Sequence, residues 1–302
     1  MNDYICFGLK IESEIECPKL ISWHRDCEKP DMQIVLGAVT IDKVNSMLID
    51  GYAWVSPGCC AFEIPQVARF LVHGGCKIVV EPLGQLKSKE IQAYLMGTAM
   101  GVLMHQRGDM PLHVSAVSAA DRRAIVFAGN SGAGKSTIAA FLMDVMGFEI
   151  VTDDVLRLEC SDESNLHATY GPRNIKLWQD ACERLGFAPT SGIQDFAREK
   201  KFHFSTAAYD DAEPLKVRDF VFLARSPDEK IRLRQVYGED HLRIIVSSIY
   251  RSAIGASIQG ENRLFKKCVA ITQQTQGFIL ERPRSLAHLG AGITEIKRAG
   301  LL

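Results

Sequence analysis

The residues with the clearest chemical pattern form a glycine-rich segment that follows an apolar run. Gly129–Ser136 reads GNSGAGKS and fits G-x-x-x-x-G-K-[ST], the P-loop pattern, directly after Ala124–Ala128. Glycines let backbone N–H groups converge on phosphate oxygens, and the helix predicted to follow adds its positive N-terminal end. The predicted nucleotide-binding residues are Gly129, Asn130, Ser131, Gly132, Ala133, Gly134, Lys135, Ser136 and Thr137.

Two residues of this segment carry specific roles in the pattern. The Lys135 ammonium is expected to reach the β- and γ-phosphates, and the Ser136 hydroxyl is expected to coordinate Mg²⁺. The alternative is an accidental glycine-rich turn. Average glycine usage makes a chance match in a chain of this length roughly a one-in-a-hundred event.

An acidic pair, Asp153-Asp154, follows a second short apolar run, Phe148–Thr152. A carboxylate here could complete the Mg²⁺ site or take a proton from an acceptor group. Adjacent strand residues point to opposite faces, so both reach one site only if the strand ends there, and we place that end at Asp153. Ser136 and Asp153 are the predicted metal ligands, although the spacing leaves open which aspartate binds metal and which is the base.

Further candidates lie outside these two segments. His113 lies on an apolar strand, Leu112–Val117, predicted to pair with the P-loop strand; the alternative is a core histidine. Arg173 and the pair Lys200-Lys201 are candidates for stabilising a transferring phosphoryl group. The two lysines belong to residues 188–204, which we expect to be a long connection, and such loops are often lids or binding loops. A solvated basic face is the alternative.

Cysteines and one histidine of the N-terminal part give a weaker signal for a metal site. Their spacing is not the tight pair of a structural zinc site, so reduced thiols are the favoured interpretation. The residues concerned are Cys17, His24, Cys27, Cys59 and Cys60.

The elements needed to position these residues can be predicted from periodicity and turn signals. Ile138, Leu142, Val145 and Met146 recur at helical spacing, and Gly147 ends that helix. The other predicted strands are Tyr4–Ile11, Met32–Ile41, Ala53–Val55, Cys76–Val80, Val155–Cys160, Leu166–Tyr170, Val217–Ala224 and Gly277–Glu281. The other predicted helices are Ile64–Leu71, Ser88–Gln106, Leu177–Leu185, Leu242–Ile249, Asn262–Thr275 and Leu286–Arg298.

Length and composition limit the class of protein. The 302 residues suggest two domains, and 47% hydrophobic with 24% charged residues are ordinary for a globular protein. A net charge of −1 offers no electrostatic argument for nucleic acid or membrane partners. We find neither a signal-peptide pattern nor a membrane-spanning run, and nine scattered cysteines favour a cytoplasmic location. Homo-oligomerisation is left open.

Taken together, His113, the loop GNSGAGKS and the segment Gly-x-x-x-x-x-Asp-Asp resemble the kinase domain of HPr kinase/phosphorylase. That domain is related in fold to PEP carboxykinase. The resemblance implies an α/β fold with a P-loop kinase domain at 111–302, preceded by a small α+β domain at 1–110. It also implies ATP and Mg²⁺, with His113, Lys135, Asp153 and Asp154 as catalytic residues.

Within this family the chain is similar to kinases encoded beside lasso-peptide biosynthesis genes, which phosphorylate a C-terminal serine of the precursor peptide. The strand LHVSAV, the loop ending AGKST and the segment GPRNIKLW carry that similarity. It implies a peptide partner, for which residues 1–110 could provide a docking surface. Those residues could instead cover the kinase sheet or mediate oligomerisation.

Two departures from HPr kinase leave other acceptors open. Thr137 stands where HPr kinases usually carry an acidic residue, and no glycine-rich signature lies near Val217–Ala224. Both put phosphorolysis and HPr itself in doubt. The alternatives are an HPr-type protein serine kinase, a small-molecule kinase, and a nucleotide-dependent switch that transfers nothing.

Overall fold

The computed structural model describes residues 1–23, 29–85, 89–119, 121–162, 165–195, 198–207, 213–283 and 285–302. It shows a mixed α/β chain with several sheets. The chain divides into two compact units, one of residues 1–111 with 249–266 and one of residues 112–248 with 267–302. The predicted second domain, 111–302, includes residues 249–266, whereas the structure groups them with the N-terminal part.

The strands are β1 Asn2–Cys6, β2 Leu9–Ser13, β3 Ile21–Ser22, β4 Met32–Leu36, β5 Met47–Ile49, β6 Ala53–Ser56, β7 Cys59–Ile64, β8 Ala68–His73, β9 Lys77–Pro82, β10 Met110–Ser118, β11 Arg123–Ala128, β12 Glu149–Asp162, β13 Asn165–Thr169, β14 Asn174–Trp178, β15 Ile193–Gln194, β16 Lys201–Ser205, β17 Leu215–Arg225, β18 Arg232–Val236 and β19 Gln276–Arg282. The α-helices are α1 Lys89–Tyr94, α2 Met100–Arg107, α3 Lys135–Met146, α4 Gln179–Leu185, α5 Gly238–Ser248, α6 Ser252–Gln259, α7 Glu261–Gln274 and α8 Leu289–Arg298. A π-helical turn, Leu95–Ala99, joins α1 to α2, and 3₁₀ turns cover Pro189–Ser191 and Leu286–His288.

The first unit is built on one sheet, with the strand order β3-β1-β2-β4-β9-β8-β7-β6-β5 among the described residues. Two sequence predictions fail here. Tyr4–Ile11 is not one strand, because Phe7 and Gly8 adopt positive φ angles of 55° and 68° and turn β1 back onto β2. Ile64–Leu71 is not a helix, because its apolar residues alternate along β7 and β8 and Gln66, at φ 63°, makes the turn between them.

Residues 249–266 are tied to the first unit by hydrogen bonds to α2 and the residues after it. The His105 Nε2 atom lies 2.8 Å from the Tyr250 carbonyl oxygen, and the Gln259 Nε2 group donates to the Asp109 carbonyl oxygen at 2.8 Å. These contacts join residues that are far apart in the sequence. Local sequence patterns do not show such contacts, so the sequence alone predicted that the segment belongs to the second domain.

The second unit contains a sheet of order β11-β10-β12-β13-β17-β19-β18 in the part of the chain that is described. β11 also pairs with β17, so that the first five of these strands close on themselves. β11, β17 and β19 run parallel, which brings their carboxyl ends to one edge. β10 pairs antiparallel with β11, as the predicted hairpin requires.

Helix α3 packs on this sheet through the residues that its periodicity indicated, with one exception. Ile138 and Leu142 are buried with Phe127 and Val221, whereas Val145 is 60% exposed because it lies in the last turn, outside the apolar stripe. Gly147, at φ 72°, ends the helix, and its N–H bonds the carbonyl oxygens of the preceding turn.

Residues 188–204 are not an irregular connection, since β15 and β16 pair there and β16 pairs with β14.

Cys17 and Cys60 are among seven described cysteines that are free thiols, and burial raises their pKa to about 11 and about 12. His24 and Cys27, the other candidate ligands, lie outside the described residues. No helix among the residues described is long and apolar enough to cross a membrane.

Candidate active site

The glycine loop, residues 129–136, leaves β11 at the edge where the parallel strands end. Gly129, Gly132 and Gly134 have φ angles of 140°, 79° and 98°, a region that favours glycine. The Ala133 N–H donates to the Asn130 carbonyl oxygen at 3.0 Å, which makes the loop a tight turn. The loop therefore enters α3 in a conformation that only this glycine pattern allows without strain.

The start of α3 offers an anion a set of amide donors. The helix begins at Lys135 after Gly134, and the structure shows no side-chain cap for its first turn. Ser136 is half-buried, and Thr137 is buried inside the helix. An uncapped helix start behind a glycine loop is the arrangement that binds phosphate in many folds.

The Lys135 side chain is folded back over the loop. Its Nζ donates to the Gly129 carbonyl oxygen at 2.8 Å, and the residue is only 8% exposed. Burial lowers the pKa of Lys135, while the negative charges of Asp153 and Asp154 act in the opposite direction. The Lys135 ammonium group therefore lies close enough to the acidic pair for the charges of both carboxylates to act on its pKa.

The acidic pair does not lie at a strand end, so the expected end at Asp153 is wrong. β12 continues to Asp162, and the backbone is instead distorted at Asp154, whose φ is 147°. A non-glycine residue in this region costs of order 1–3 kcal/mol and occurs mostly at functional sites. The distortion turns both carboxylates towards β14, where each bonds Lys176.

Asp153 is a buried, fully oriented carboxylate. Its Oδ1 accepts a hydrogen bond from the Ser115 hydroxyl at 2.5 Å, and its Oδ2 accepts one from the Lys176 N–H at 2.8 Å. The residue is 6% exposed. These contacts fix its orientation relative to β10 and β14.

Asp154 is the more open carboxylate, with 34% of its side chain exposed. Its Oδ2 accepts from Lys176 Nζ at 2.5 Å, and its Oδ1 lies 3.2 Å from His113 Nδ1. Burial opposes ionisation, but the charge of Lys176 and the hydrogen bond and charge of His113 outweigh it, so the pKa of Asp154 lies well below its usual range. The structure therefore brings His113 to the acidic pair, with 44% of its side chain open to solvent.

The basic residues predicted to contact a phosphoryl group, Arg173, Lys200 and Lys201, have different surroundings in the structure. Lys201 lies on β16 with its ammonium 5.7 Å from the Trp178 ring centre. Burial lowers its pKa, as does Arg198, while the attraction of Asp153 opposes them. Lys200 is exposed in the preceding turn, and Arg173 is half-buried before β14. Their contact with a phosphoryl group stays a prediction.

Three site residues were not singled out from the sequence. Ser115 and Lys176 bond the acidic pair, and Arg282 donates from Nη2 to the Ala133 carbonyl oxygen of the glycine loop at 3.1 Å. Lys176 interrupts the apolar strand β14, and Arg282 is the last residue of the apolar strand β19. Ser115 shares a face of β10 with His113. A polar residue in a buried strand was the available signal for each.

The oxygen donors fit Mg²⁺ in type. Ser136, Asp153 and Asp154 supply hydroxyl and carboxylate oxygens, and Mg²⁺ commonly takes one or two carboxylates together with waters and substrate phosphates. Within the described ranges, no group of three or more His, Cys, Asp or Glu side chains could hold a metal ion. An ion here would need phosphate oxygens to complete its coordination.

Comparisons with known proteins add a similarity to solved structures. No family model matches the chain, and no curated protein matches it. Among solved structures, the chain is similar to the Hpr(Ser) kinase/phosphatase from Coxiella burnetii, at 11% sequence identity and a TM-score of 0.31. That alignment covers 63% of this chain and 96% of the other.

Proposed function

We propose that the protein is an ATP-dependent kinase that phosphorylates a serine hydroxyl on a peptide, in the manner of the lasso-peptide precursor kinases that its motifs resemble. The observation that carries the proposal is a glycine loop of the phosphate-binding type close to the acidic pair Asp153-Asp154. Burial lowers the pKa of Lys135 in that loop, the charges of Asp153 and Asp154 oppose this shift, and each carboxylate accepts a hydrogen bond from Lys176. Phosphoryl transfer requires mainly positioning and charge neutralisation, which such groups supply.

The loop amides and Lys135 would hold the triphosphate. Lys135 now bonds a loop carbonyl oxygen, so a bound phosphate would replace that partner with a charged one. Ser136 and Asp153 remain the predicted ligands of Mg²⁺, which when bound would neutralise charge on the β- and γ-phosphates.

Asp154 is the carboxylate that we assign to the acceptor hydroxyl. It is the more exposed of the two, and its backbone distortion directs it beside His113. Its low pKa keeps it ionised and able to accept a hydrogen bond that orients the serine. His113 would share or pass on the serine proton, and Lys176 would hold the carboxylate in position.

The acceptor side of the site offers an exposed aromatic surface. Trp178 lies two residues beyond Lys176 on β14, so the two side chains share a face of that strand, and Trp178 is 43% exposed. An apolar side chain of an extended peptide could pack there while its serine approaches Asp154. A peptide acceptor is therefore compatible with the surroundings of the dyad.

The test is the fate of label from γ-labelled ATP. The protein is incubated with Mg²⁺ and, in separate reactions, with HPr, with a small alcohol, or with matched peptides carrying an internal serine, a C-terminal serine, or alanine in its place. Label on the C-terminal serine supports the proposal, and label on HPr or a small alcohol alone supports the alternative kinases. Release of free phosphate without transfer would indicate a nucleotide-dependent switch.

A further inference from the structure

Arg282 is a buried guanidinium beside the glycine loop, and no described residue of opposite charge pairs with it. The residue ends β19 and is 4% exposed. Its Nη2 donates to the Ala133 carbonyl oxygen at 3.1 Å, and its Nη1 makes a longer contact of 3.4 Å with the Pro283 carbonyl oxygen. Among the residues that the structure covers, its Nε has no hydrogen-bond partner and no carboxylate forms an ion pair with it.

This charge is costly unless something offsets it. Burial lowers the pKa of Arg282, but the ordinary value lies so far above neutrality that the guanidinium stays charged. A buried charge without a counter-ion is strongly unfavourable, so such groups in native proteins are normally paired or serve a ligand. Two backbone carbonyl dipoles offset only part of this cost.

The guanidinium lies close against the loop at Gly134. A Cβ atom at Gly134 would clash with Arg282 Nη2, so a side chain at that residue would displace the end of the arginine side chain. The φ of 98° at Gly134 further restricts the position to glycine. Gly134 therefore serves both the turn and the approach of Arg282.

The hydrogen bond to Ala133 acts on the neighbouring N–H of the loop through one peptide bond. The Ala133 carbonyl and the Gly134 N–H belong to the same peptide unit, and a charged donor on the oxygen polarises the N–H. Arg282 therefore adds positive potential to the loop through its bond to the Ala133 carbonyl oxygen.

We infer that Arg282 is the buried counter-charge for a polyphosphate bound in the glycine loop. It is a positioning residue: it holds the Ala133–Gly134 peptide in its donating orientation and its charge is neutralised when the ligand binds. The inference rests on the proposed function only in taking the loop as the site of the phosphate chain. The ligand class is a nucleoside di- or triphosphate, or an inorganic polyphosphate.

The experiment measures binding of inorganic tripolyphosphate and the thermal midpoint of the full chain, with and without that ligand. Arg282→Met should weaken the affinity roughly tenfold to a hundredfold, the range for loss of one charge-assisted contact. It should leave the midpoint of the ligand-free protein unchanged or higher, because an uncompensated charge has been removed. Arg282→Lys should restore part of the affinity, and Arg232→Met, on the neighbouring β18 and 43% exposed, is the matched control.

If Arg282 only stabilises the fold, the opposite pattern is expected. Arg282→Met would then lower the ligand-free midpoint while the surviving folded protein binds tripolyphosphate as the wild type does, and that result overturns the inference. If Arg282→Met does not fold, Arg282→Gln, which removes the charge and keeps a donor for the Ala133 carbonyl oxygen, and Arg282→Lys provide the same comparison. Arg282-dependent tripolyphosphate binding without transfer of label from ATP would reject the proposed function and retain this inference. If Arg282→Met binds tripolyphosphate and transfers label as the wild type does, the proposed function is retained and this inference is rejected.

Discussion

Replacing Lys176 by methionine removes one cation from the acidic pair and little else. The Lys176 N–H that bonds Asp153 belongs to the backbone and is retained, whereas the Nζ that bonds Asp154 at 2.5 Å is lost. Methionine keeps a side chain of similar length, so packing along β14 changes little. The variant therefore isolates the charge that holds Asp154.

The expected loss follows from the contact. A hydrogen bond between charged groups contributes about 1.5–3 kcal/mol, and the partial exposure of both side chains, 22% and 34%, favours the lower half of that range. Since about 1.36 kcal/mol corresponds to a factor of ten in rate, turnover should fall about tenfold to fortyfold. ATP binding should change much less, because the glycine loop is untouched.

The assay is the initial rate of label transfer from γ-labelled ATP, with nucleotide affinity measured separately by calorimetry. Lys297→Met, which changes an exposed lysine in the last turn of α8, is the control for loss of one positive charge. A Lys176→Met protein with wild-type turnover would refute the assignment of Lys176 to the positioning of Asp154.

Four other predictions concern the same site. Lys135→Ala should lower phosphotransfer by about 10²–10³ or more while circular dichroism shows an unchanged fold, since it removes a charge that acts on the transferring group. Asp153→Asn and Asp154→Asn should both be nearly inactive, and titration of nucleotide binding with Mg²⁺ should show an increased requirement in the metal ligand alone, which we expect to be Asp153. Because the folded-state pKa of Asp154 is depressed, its ionised form stabilises the fold above the unfolded pKa of about 3.9, and that stability is lost as pH falls. Thermal melts of Asp154→Asn should therefore depend less on pH below about pH 5 than those of the wild type, and His113→Gln should lower turnover and alter its pH profile while ATP binding persists.

The glycine loop, α3 and the hairpin of β10 and β11 were predictable from the sequence because local patterns specify them. Glycine spacing, helical periodicity and the end at Gly147 all concern neighbouring residues. His113 was placed near the loop by the same hairpin, and its contact with Asp154 follows the pairing of β10 beside β12.

Lys176 and Arg282 were not predicted, because their roles depend on pairings between distant segments. β14 contacts the acidic pair through the side chains of Asp153 and Asp154 on β12, and β19 lies beside the P-loop strand β11 through its pairing with β17. Neither relation has a local signature. The strand end expected at Asp153 was wrong for a related reason. A positive φ at Asp154 turns both carboxylates, and the residue type gives no sign of it because this region of φ strongly favours glycine.

The most direct test of the central claim is the position of a non-hydrolysable ATP analogue bound with Mg²⁺, determined by crystallography. The account predicts that the β- and γ-phosphates contact the N–H groups of the glycine loop and Lys135, with the γ-phosphate facing Asp154 and Lys176. An analogue bound elsewhere, or one whose γ-phosphate points away from the acidic pair, would contradict it.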